Sequence, residues 1–459
     1  MATVIKNATV VTGDAGRTIL YDHALAVVGD KIEAIGPTEE VIATHQQAEV
    51  IDGRGKAIFP GLINCHTHLL ATLDRGILED FGFPTRLRFP VTARSLMTQE
   101  ERQIMAVLGA LEAIRSGTTS LLEISGNVAE YVPQLEHTGL RLALAENIND
   151  VDESRMRDGV FEFSEAKLED GLQRSADLIE TWHGKSGGRI TCFLAPHAPE
   201  TCSPGLLRKS RALAEEHGVG YTIHLSQSHL ELEAVKRTRG VSPTHYLFAN
   251  DFLGPRLVAA HCRYVDASEI ALLGQLGVGI SNNAAIAARR GAAAPVSELQ
   301  AAGCFVGMGS DNMAEDMVEV MRAALFLERV RNNDEVSPQP EDMLEMATSS
   351  GARLLGMKDQ VGTLEQGKKA DLFIVNLLKP HLVPTLRVVS AFVHNGQPAD
   401  IEGVMVDGNW LMREGKVLTI NEPDIVQKAE RIGHEVWQRL TRRFPTVSFP
   451  VSLPPGPVS

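Results

Sequence analysis

Between about residues 59 and 366 one order of residues recurs: apolar positions at helical spacing, a glycine, a short apolar run, then a polar residue. Thr98-Gln99-Glu100-Glu101 has capping-box spacing and opens a stripe of Ile104, Leu108 and Leu111, which Gly117 closes before the run 118–124. Ser203-Pro204 starts a second helix, ended by Gly218 ahead of Tyr221-Thr222-Ile223-His224. Asp266-Ala267-Ser268-Glu269 starts a third, with Gly277 before Val278-Gly279-Ile280, and residues 296–302 form a fourth, with Gly303 before residues 304–311. Helices alternating with short apolar strands specify parallel β-α units, because parallel neighbours need a crossover. The expected class is α/β, with a (β/α)8 TIM-type barrel whose strand C-termini gather polar residues at one mouth.

At 459 residues the chain exceeds the roughly 250 that such a barrel takes. Residues before 59 carry β-rich runs, Thr3-Val4-Ile5, Ala24-Leu25-Ala26-Val27-Val28 and Lys31-Ile32-Glu33-Ala34-Ile35, punctuated by Gly13, Gly29-Asp30 and Gly36-Pro37. Comparable runs return only near the far end, at 370–375, 388–393 and 403–408. Both chain ends therefore build one small β domain, 1–58 plus 367–420, beside a barrel at 59–366. Beyond Asn421-Glu422-Pro423 the residues Ile425, Ala429, Ile432, Val436 and Leu440 make a helical stripe. The prolines between Phe449 and Pro457 forbid a helix, so 421–459 reads as a C-terminal helix and a Pro-rich arm.

The formal net charge of −14 disfavours general attraction to nucleic acid phosphates or anionic lipid, so no nucleic acid and no membrane partner is expected. No apolar run reaches the roughly 18 residues of a spanning helix, and Lys6 and Asn7 interrupt the place of a signal peptide; a cytoplasmic protein is expected. Five scattered cysteines without a Cys-x-x-Cys pair read as reduced, buried thiols, including Cys65 and Cys262 beside candidate site histidines. An acidic surface and an extended arm permit a homo-oligomer.

In Gly61-Leu62-Ile63-Asn64-Cys65-His66-Thr67-His68 an apolar strand ends in two histidines, and strand alternation turns both imidazoles to one side, where they suit a divalent metal. His224, His261 and Asp311 each close another short apolar run, and Glu123 ends one as well, which makes it a candidate substrate contact at the mouth.

The stretch Lys56-Ala57-Ile58-Phe59-Pro60 together with residues 61–68 resembles the opening signature of the amidohydrolase superfamily. Across nearly the whole chain the similarity is to the branch of triazine hydrolases, adenosine-type deaminases and other aminohydrolases of nitrogen heterocycles. The resemblance implies a metal-dependent barrel with a small β-sandwich domain. It also implies one divalent ion held by His66, His68, His224 and Asp311. Zinc suits these N and O donors best, and iron and manganese are also admitted. By the same resemblance Asp311 takes the proton of an attacking water, whose pKa the ion lowers to about 7, and His261 polarises the substrate or stabilises the charge that develops. His197, in Leu194-Ala195-Pro196-His197, is similar to a substrate-contacting strand end.

Two departures bear on the reaction. Relatives commonly continue His-x-x-Glu where this chain has His224-Leu225-Ser226-Gln227, and an amide contacts a substrate without delivering a proton. Glu231, one helical turn on, either compensates or sits on a solvated helix face. Relatives also carry His-Cys-Pro where this chain has Gly279-Ile280-Ser281-Asn282-Asn283, followed by Arg289-Arg290. Arg289 facing the mouth would suit a substrate carboxylate or phosphate. The expected activity is hydrolysis of a C–N bond on a small heterocyclic substrate. The alternative is removal of a chloro or alkylamino group, or opening of a cyclic amide. A non-catalytic homologue is the competing class; five polar residues converging on one mouth argue against it, since packing alone has no need of them.

Overall fold

The computed structural model describes residues 2–80 and 91–452. The N-terminal runs form β1 (Ala2–Val11), β2 (Ile19–Val28), β3 (Lys31–Pro37), β4 (Glu49–Asp52) and β5 (Lys56–Pro60). Then come β6 (Leu62–Thr67), β7 (Thr118–Ser125), β8 (Arg141–Ile148), β9 (Ile190–Pro196), β10 (Gly220–Leu225), β11 (Leu257–His261), β12 (Gly279–Asn282) and β13 (Phe305–Met308), which close into an eight-stranded barrel. All their pairings are parallel, and β13 closes on β6. The remaining strands, β14 (Leu372–Asn376), β15 (Ile401–Val406), β16 (Asn409–Arg413) and β17 (Lys416–Val417), complete a separate nine-stranded mixed sheet with β1 to β5. Both chain ends thus share one sheet, as the recurrence of β-rich runs requires.

Alternation along the barrel strands divides their side chains between two cores. Ile63, Leu122, Ala143, Ala145 and Phe193 form one cluster that fills the barrel, and Cys65 packs with them. The intervening Leu62, Leu121, Leu142 and Leu144 pack outward with helix residues such as Ala110 and Leu178. Gly61 carries the chain from β5 into β6, and only glycine fits there, because a Cβ would lie 2.0 Å from the Thr119 hydroxyl.

The helices begin where capping chemistry places them. Thr98 caps α1 (Gln99–Arg115) through a complete capping box with Glu101, and Ser203 caps α2 (Pro204–Glu216) by accepting from the Leu206 N–H. Then follow α3 (His229–Arg239), which lines the cavity described below, α4 (Ala267–Gln275), α5 (Ala284–Arg289) and α6 (Met317–Asn332). The run 388–393, expected as a strand, is instead α7 (Val388–Asn395). Its buried residues are Val388, Val389, Phe392 and Val393, a helical spacing that outweighed its β-branched composition. At the end, α8 (Glu422–Arg443) lies against α1, and its Trp437 Nε1 donates to the Leu73 carbonyl at 3.0 Å. Phe449 of the expected arm stacks edge-on against Trp437 at 6.4 Å between centroids, and residues 453–457 of that arm lie outside the described residues.

One buried cation joins the barrel to the sheet. Arg141 on β8, 2% exposed, donates to both oxygens of Asp371 at 2.9 and 3.1 Å and to Asp407 at 2.5 Å. Removing one partner of such a group strands the other charges. Arg141→Ala should lower the unfolding free energy by about 3–5 kcal/mol, read from denaturant unfolding with the fold checked by circular dichroism.

Candidate metal centre and its cavity

The two histidines ending β6, the histidine near the end of β10 and Asp311 beyond β13 meet at one point. One ligand atom from each of His66, His68, His224 and Asp311 lies within 4.8 Å of the others. His66 Nε2 and His68 Nε2 each stand 3.5 Å from Asp311 Oδ1, and His68 Nε2 stands 3.2 Å from His224 Nε2. Backbone bonds lock the β6 and Asp311 segments together here, Asp311 N to the His66 carbonyl and His68 N to the Asp311 carbonyl, both 3.0 Å. All four side chains are buried.

The ring hydrogen bonds test whether a metal fits. His68 Nδ1 donates to the Ile124 carbonyl at 2.5 Å and His224 Nδ1 donates to the His197 carbonyl at 2.6 Å. A carbonyl only accepts, so each Nδ1 carries the proton and each Nε2 presents a lone pair. Two such lone pairs 3.2 Å apart need a cation between them. A proton does not serve, since burial pushes His68 down to about 3. Nδ1 bonds to main-chain carbonyls are also how metal-binding imidazoles are oriented. Burial alone would raise the Asp311 carboxyl, but His261 and His66 facing it hold it well below the usual carboxylate range. Three neutral imidazoles and a carboxylate are a donor set for a divalent transition ion.

His261 ends β11 beside this cluster, with Nε2 3.9 Å from Asp311 Oδ2. Its Nδ1 receives two donors, Arg263 Nη2 and Asn283 Nδ2, each at 3.1 Å. The Asn283 amide is oriented by Ser281, whose hydroxyl donates to Oδ1 at 2.8 Å. Burial, seconded by Arg263, holds the imidazole well below its ordinary pKa. Neither partner was singled out from the sequence for this contact. Asn283 stood in the amide-rich departure, and Arg263 carried no signal beyond lying two residues from His261.

The basic pair divides between two environments. Arg289, expected at the mouth, pairs with Glu319 on α6 at 2.8 Å and does not line the cavity. Arg290 is the one turned inward, with Nη1 3.9 Å from Asp311 Oδ2. Consecutive residues at a helix end point in different directions, and the sequence does not say which faces in.

A cavity of about 590 Å³ opens over the cluster, and His197, Glu200 and Gln227 line it beside His68, His224 and Asp311. His197 Nδ1 lies 2.9 Å from the Thr201 hydroxyl. Farther out the link after β8 contributes Met156, Gly159 and Phe161, facing Arg237 of α3, whose guanidinium stands 5.8 Å over the Phe161 ring. Thr92, Arg94 and Ser95 line the cavity as well. Glu123 does not line the cavity. It is buried under the metal strand, where it accepts from Leu69 N at 2.8 Å and from the Ser125 and Tyr131 hydroxyls at 2.7 Å. Glu231 is not on a solvated face either: it is 2% exposed and accepts from Ser226 N at 2.8 Å and Gln227 N at 2.7 Å.

The comparisons with known proteins agree with this geometry. Residues 57–411 match the model of the Amidohydrolase family. The chain is 36% identical to a 5-methylthioadenosine/S-adenosylhomocysteine deaminase of Desulforudis audaxviator, over 95% of this chain and 99% of that one. It is 32% identical to a 5'-deoxyadenosine deaminase of Methanosarcina mazei, over 95% and 99%. Among solved structures, a zinc-bound adenosine deaminase from Xanthomonas campestris superposes with a TM-score of 0.85 at 23% identity, covering 95% of this chain and 98% of that one. A zinc complex of an atrazine chlorohydrolase from Arthrobacter aurescens TC1 gives 0.83 at 22%, covering 94% and 100%. With its barrel, its ligand cluster and most of its length in that match, the chain belongs to the amidohydrolase family.

Proposed function

We propose that this chain is a metal-dependent aminohydrolase that removes an exocyclic amino group from a nitrogen heterocycle, with an adenine nucleoside carrying a 5′ substituent as the best-fitting substrate. The observation that carries the reading is the pair of Nε2 lone pairs 3.2 Å apart, met by His66 and Asp311, on the floor of a cavity. Relatives at 32–36% identity are named for 5-methylthioadenosine, S-adenosylhomocysteine and 5'-deoxyadenosine, which supports the nucleoside class. The cavity of about 590 Å³ falls within the span that takes drug-sized ligands, leaving room beyond the ring for a sugar and its substituent. Zinc is the ion we assign, on the donor set. The five cysteines are all free and buried, which suits the reducing cytoplasm in which we place the protein.

A bound ion would supply a water acidified to about 7. The protein's own groups do the rest. Asp311 Oδ1 is occupied by the Asn312 amide at 2.7 Å, so Oδ2 is the oxygen that takes the water's proton and returns it to the departing amine. His261 acts as a donor and not as a base: with two donors on Nδ1, its proton sits on Nε2, where it donates to the attacking oxygen and orients it on the ring carbon. The negative charge that this addition builds falls on the adjacent ring nitrogen, within the reach of a donor such as the Gln227 amide. His197 and Gln227 orient the ring from the cavity wall, and Glu123 acts through the segment that carries His68. Gln227 favours one second reading, loss of chloride or an alkylamino group, because these departures make different protonation demands from loss of ammonia.

Ammonia release from 5-methylthioadenosine and adenosine, measured beside chloride release from a chlorotriazine and opening of a cyclic amide, should show turnover chiefly with the nucleosides. Chloride release alone would establish the second reading instead. Asp311→Ala should lose both turnover and bound metal, and a metal-replete, fully active variant refutes its role. Asn283→Asp places an acceptor against Nδ1 and draws the proton there. It should cut kcat by about 100-fold or more with KM little changed, and 15N spectra of His261 should report the tautomer reversal.

A further inference from the structure

The two metal-bearing segments at the barrel seam are held by few backbone contacts. β13 pairs with β6 at Met308 opposite Asn64, and the next contact is the bridge between Thr67 and Asp311. Between these points the ladder is interrupted. Asp311 itself adopts a left-handed backbone, φ 69°, which a non-glycine residue keeps only when its surroundings enforce it.

Side chains occupy the interruption. Asn64 Oδ1 accepts from Ser310 N at 3.0 Å and from His66 N at 3.3 Å, while its Nδ2 donates to the Ser310 hydroxyl at 2.8 Å. Glu315 completes the group. Its Oε2 accepts from the Ser310 hydroxyl at 2.7 Å and from Asn64 Nδ2 at 3.2 Å, and the Thr67 hydroxyl lies 2.7 and 2.6 Å from its two oxygens. Thr67 sits between the ligands His66 and His68, and Ser310 immediately precedes Asp311. The Glu315 main-chain carbonyl is in turn fixed by the Ser116 hydroxyl at 2.9 Å.

Glu315 is 0% exposed and does not line the cavity, so it touches neither solvent nor substrate. Burial pushes its carboxyl up to about 8, a cost that an apolar side chain filling the same volume would avoid. A buried acid retained away from the ligand therefore calls for a task.

We propose that Glu315 is a positioning residue of the metal centre: its carboxyl joins Thr67, Asn64 and Ser310 into one junction that sets the His66/His68 pair against Asp311 and keeps Asp311 in its left-handed backbone. The proposal rests on the metal-centre part of the reading above and is independent of which heterocycle is hydrolysed. Outer partners of ligand groups typically change metal affinity 10–100-fold, which sets the size of effect to look for.

The test is the rate at which zinc-loaded protein surrenders its ion to an excess of a colour-forming chelator. Glu315→Ala should release zinc about 10–100-fold faster, with kcat reduced and KM close to that of the parent. Glu315→Gln keeps an acceptor for Ser310 and Asn64 and offers an N–H to the Thr67 hydroxyl, so it should restore release to within a few-fold of the parent. Ser310→Ala, which barely changes volume, should accelerate release on its own and add little on top of Glu315→Ala. Should Glu315→Ala fail to fold, Ser310→Ala and Thr67→Val carry the test. Parental release rates in these variants, with only the melting temperature lowered, would make Glu315 an ordinary core group and overturn the proposal. So would Glu315→Gln as leaky as Glu315→Ala. A parent protein that binds no divalent ion would instead overturn the metal reading itself.

Discussion

Two imidazole lone pairs pointing at each other across 3.2 Å are the constraint around which this barrel is organised. Neither ring can turn away, because each Nδ1 is held by a main-chain carbonyl, of Ile124 for His68 and of His197 for His224. Those carbonyls belong to the ends of the neighbouring strands β7 and β9, so the ring orientations are fixed by the strand pairing that closes the barrel. The repulsion is therefore built into the fold and not an accident of one rotamer. A cation relieves it, and Asp311, kept ionised by the imidazoles around it, completes the charge balance.

The same strand ends depart from ordinary backbone. Ser226, His261, Cys262 and Asp311 all have positive φ, and left-handed non-glycine residues cost of the order of 1–3 kcal/mol each. Polar side chains that are themselves buried stand beside Ser226, His261 and Asp311. Glu231 receives the Ser226 and Gln227 N–H groups, Arg263 and Asn283 converge on His261, and Asn64 receives Ser310 N beside Asp311. Glu146 does the same service for the turn after β7, accepting from Asn127 N at 2.8 Å and Val128 N at 3.0 Å. Acids that burial pushes upward are poor choices for packing, yet they are good acceptors for loop N–H groups that have no strand to pair with. The mouth of the barrel is thus held rigid by buried polar groups beneath it, in keeping with a site whose geometry must survive substrate entry.

How much of this could be read from the sequence follows from the range of the interactions. Helix starts such as Thr98 and Ser203 were legible because a cap is a contact over three residues. His66, His68, His224 and Asp311 were legible because each ends an apolar run and a parallel barrel brings all such ends together. The run 388–393 misled because Val and Phe favour strands by composition, whereas its burial follows helical spacing, which a short apolar run does not reveal. Glu231, Arg263 and Glu315 were not legible as supports, since their partners are loop N–H groups or side chains whose geometry exists only once the strands have paired. Arg289 and Arg290 show the limit most plainly: adjacent, identical in chemistry, and separated only by which way a six-residue helix ends.

Gln227 takes on a different meaning in this setting. Its N–H rests on a Glu231 carboxyl at 2.7 Å, and that carboxyl is raised well above its usual range by burial and by the nearby Glu200. A glutamate at 227 would add a further carboxyl to a wall that already holds Glu200, Glu231 and Glu233, in a cavity that also contains Asp311. Like charges this close cannot all ionise, so each added acid raises the others. An amide leaves Glu231 free to serve the Ser226 turn and still presents a donor and an acceptor to a substrate ring. The departure from the family pattern at this position is thus coupled to the acids around it, and exchanging Gln227 in isolation would alter the electrostatics of the turn that follows His224 as well as the substrate contact.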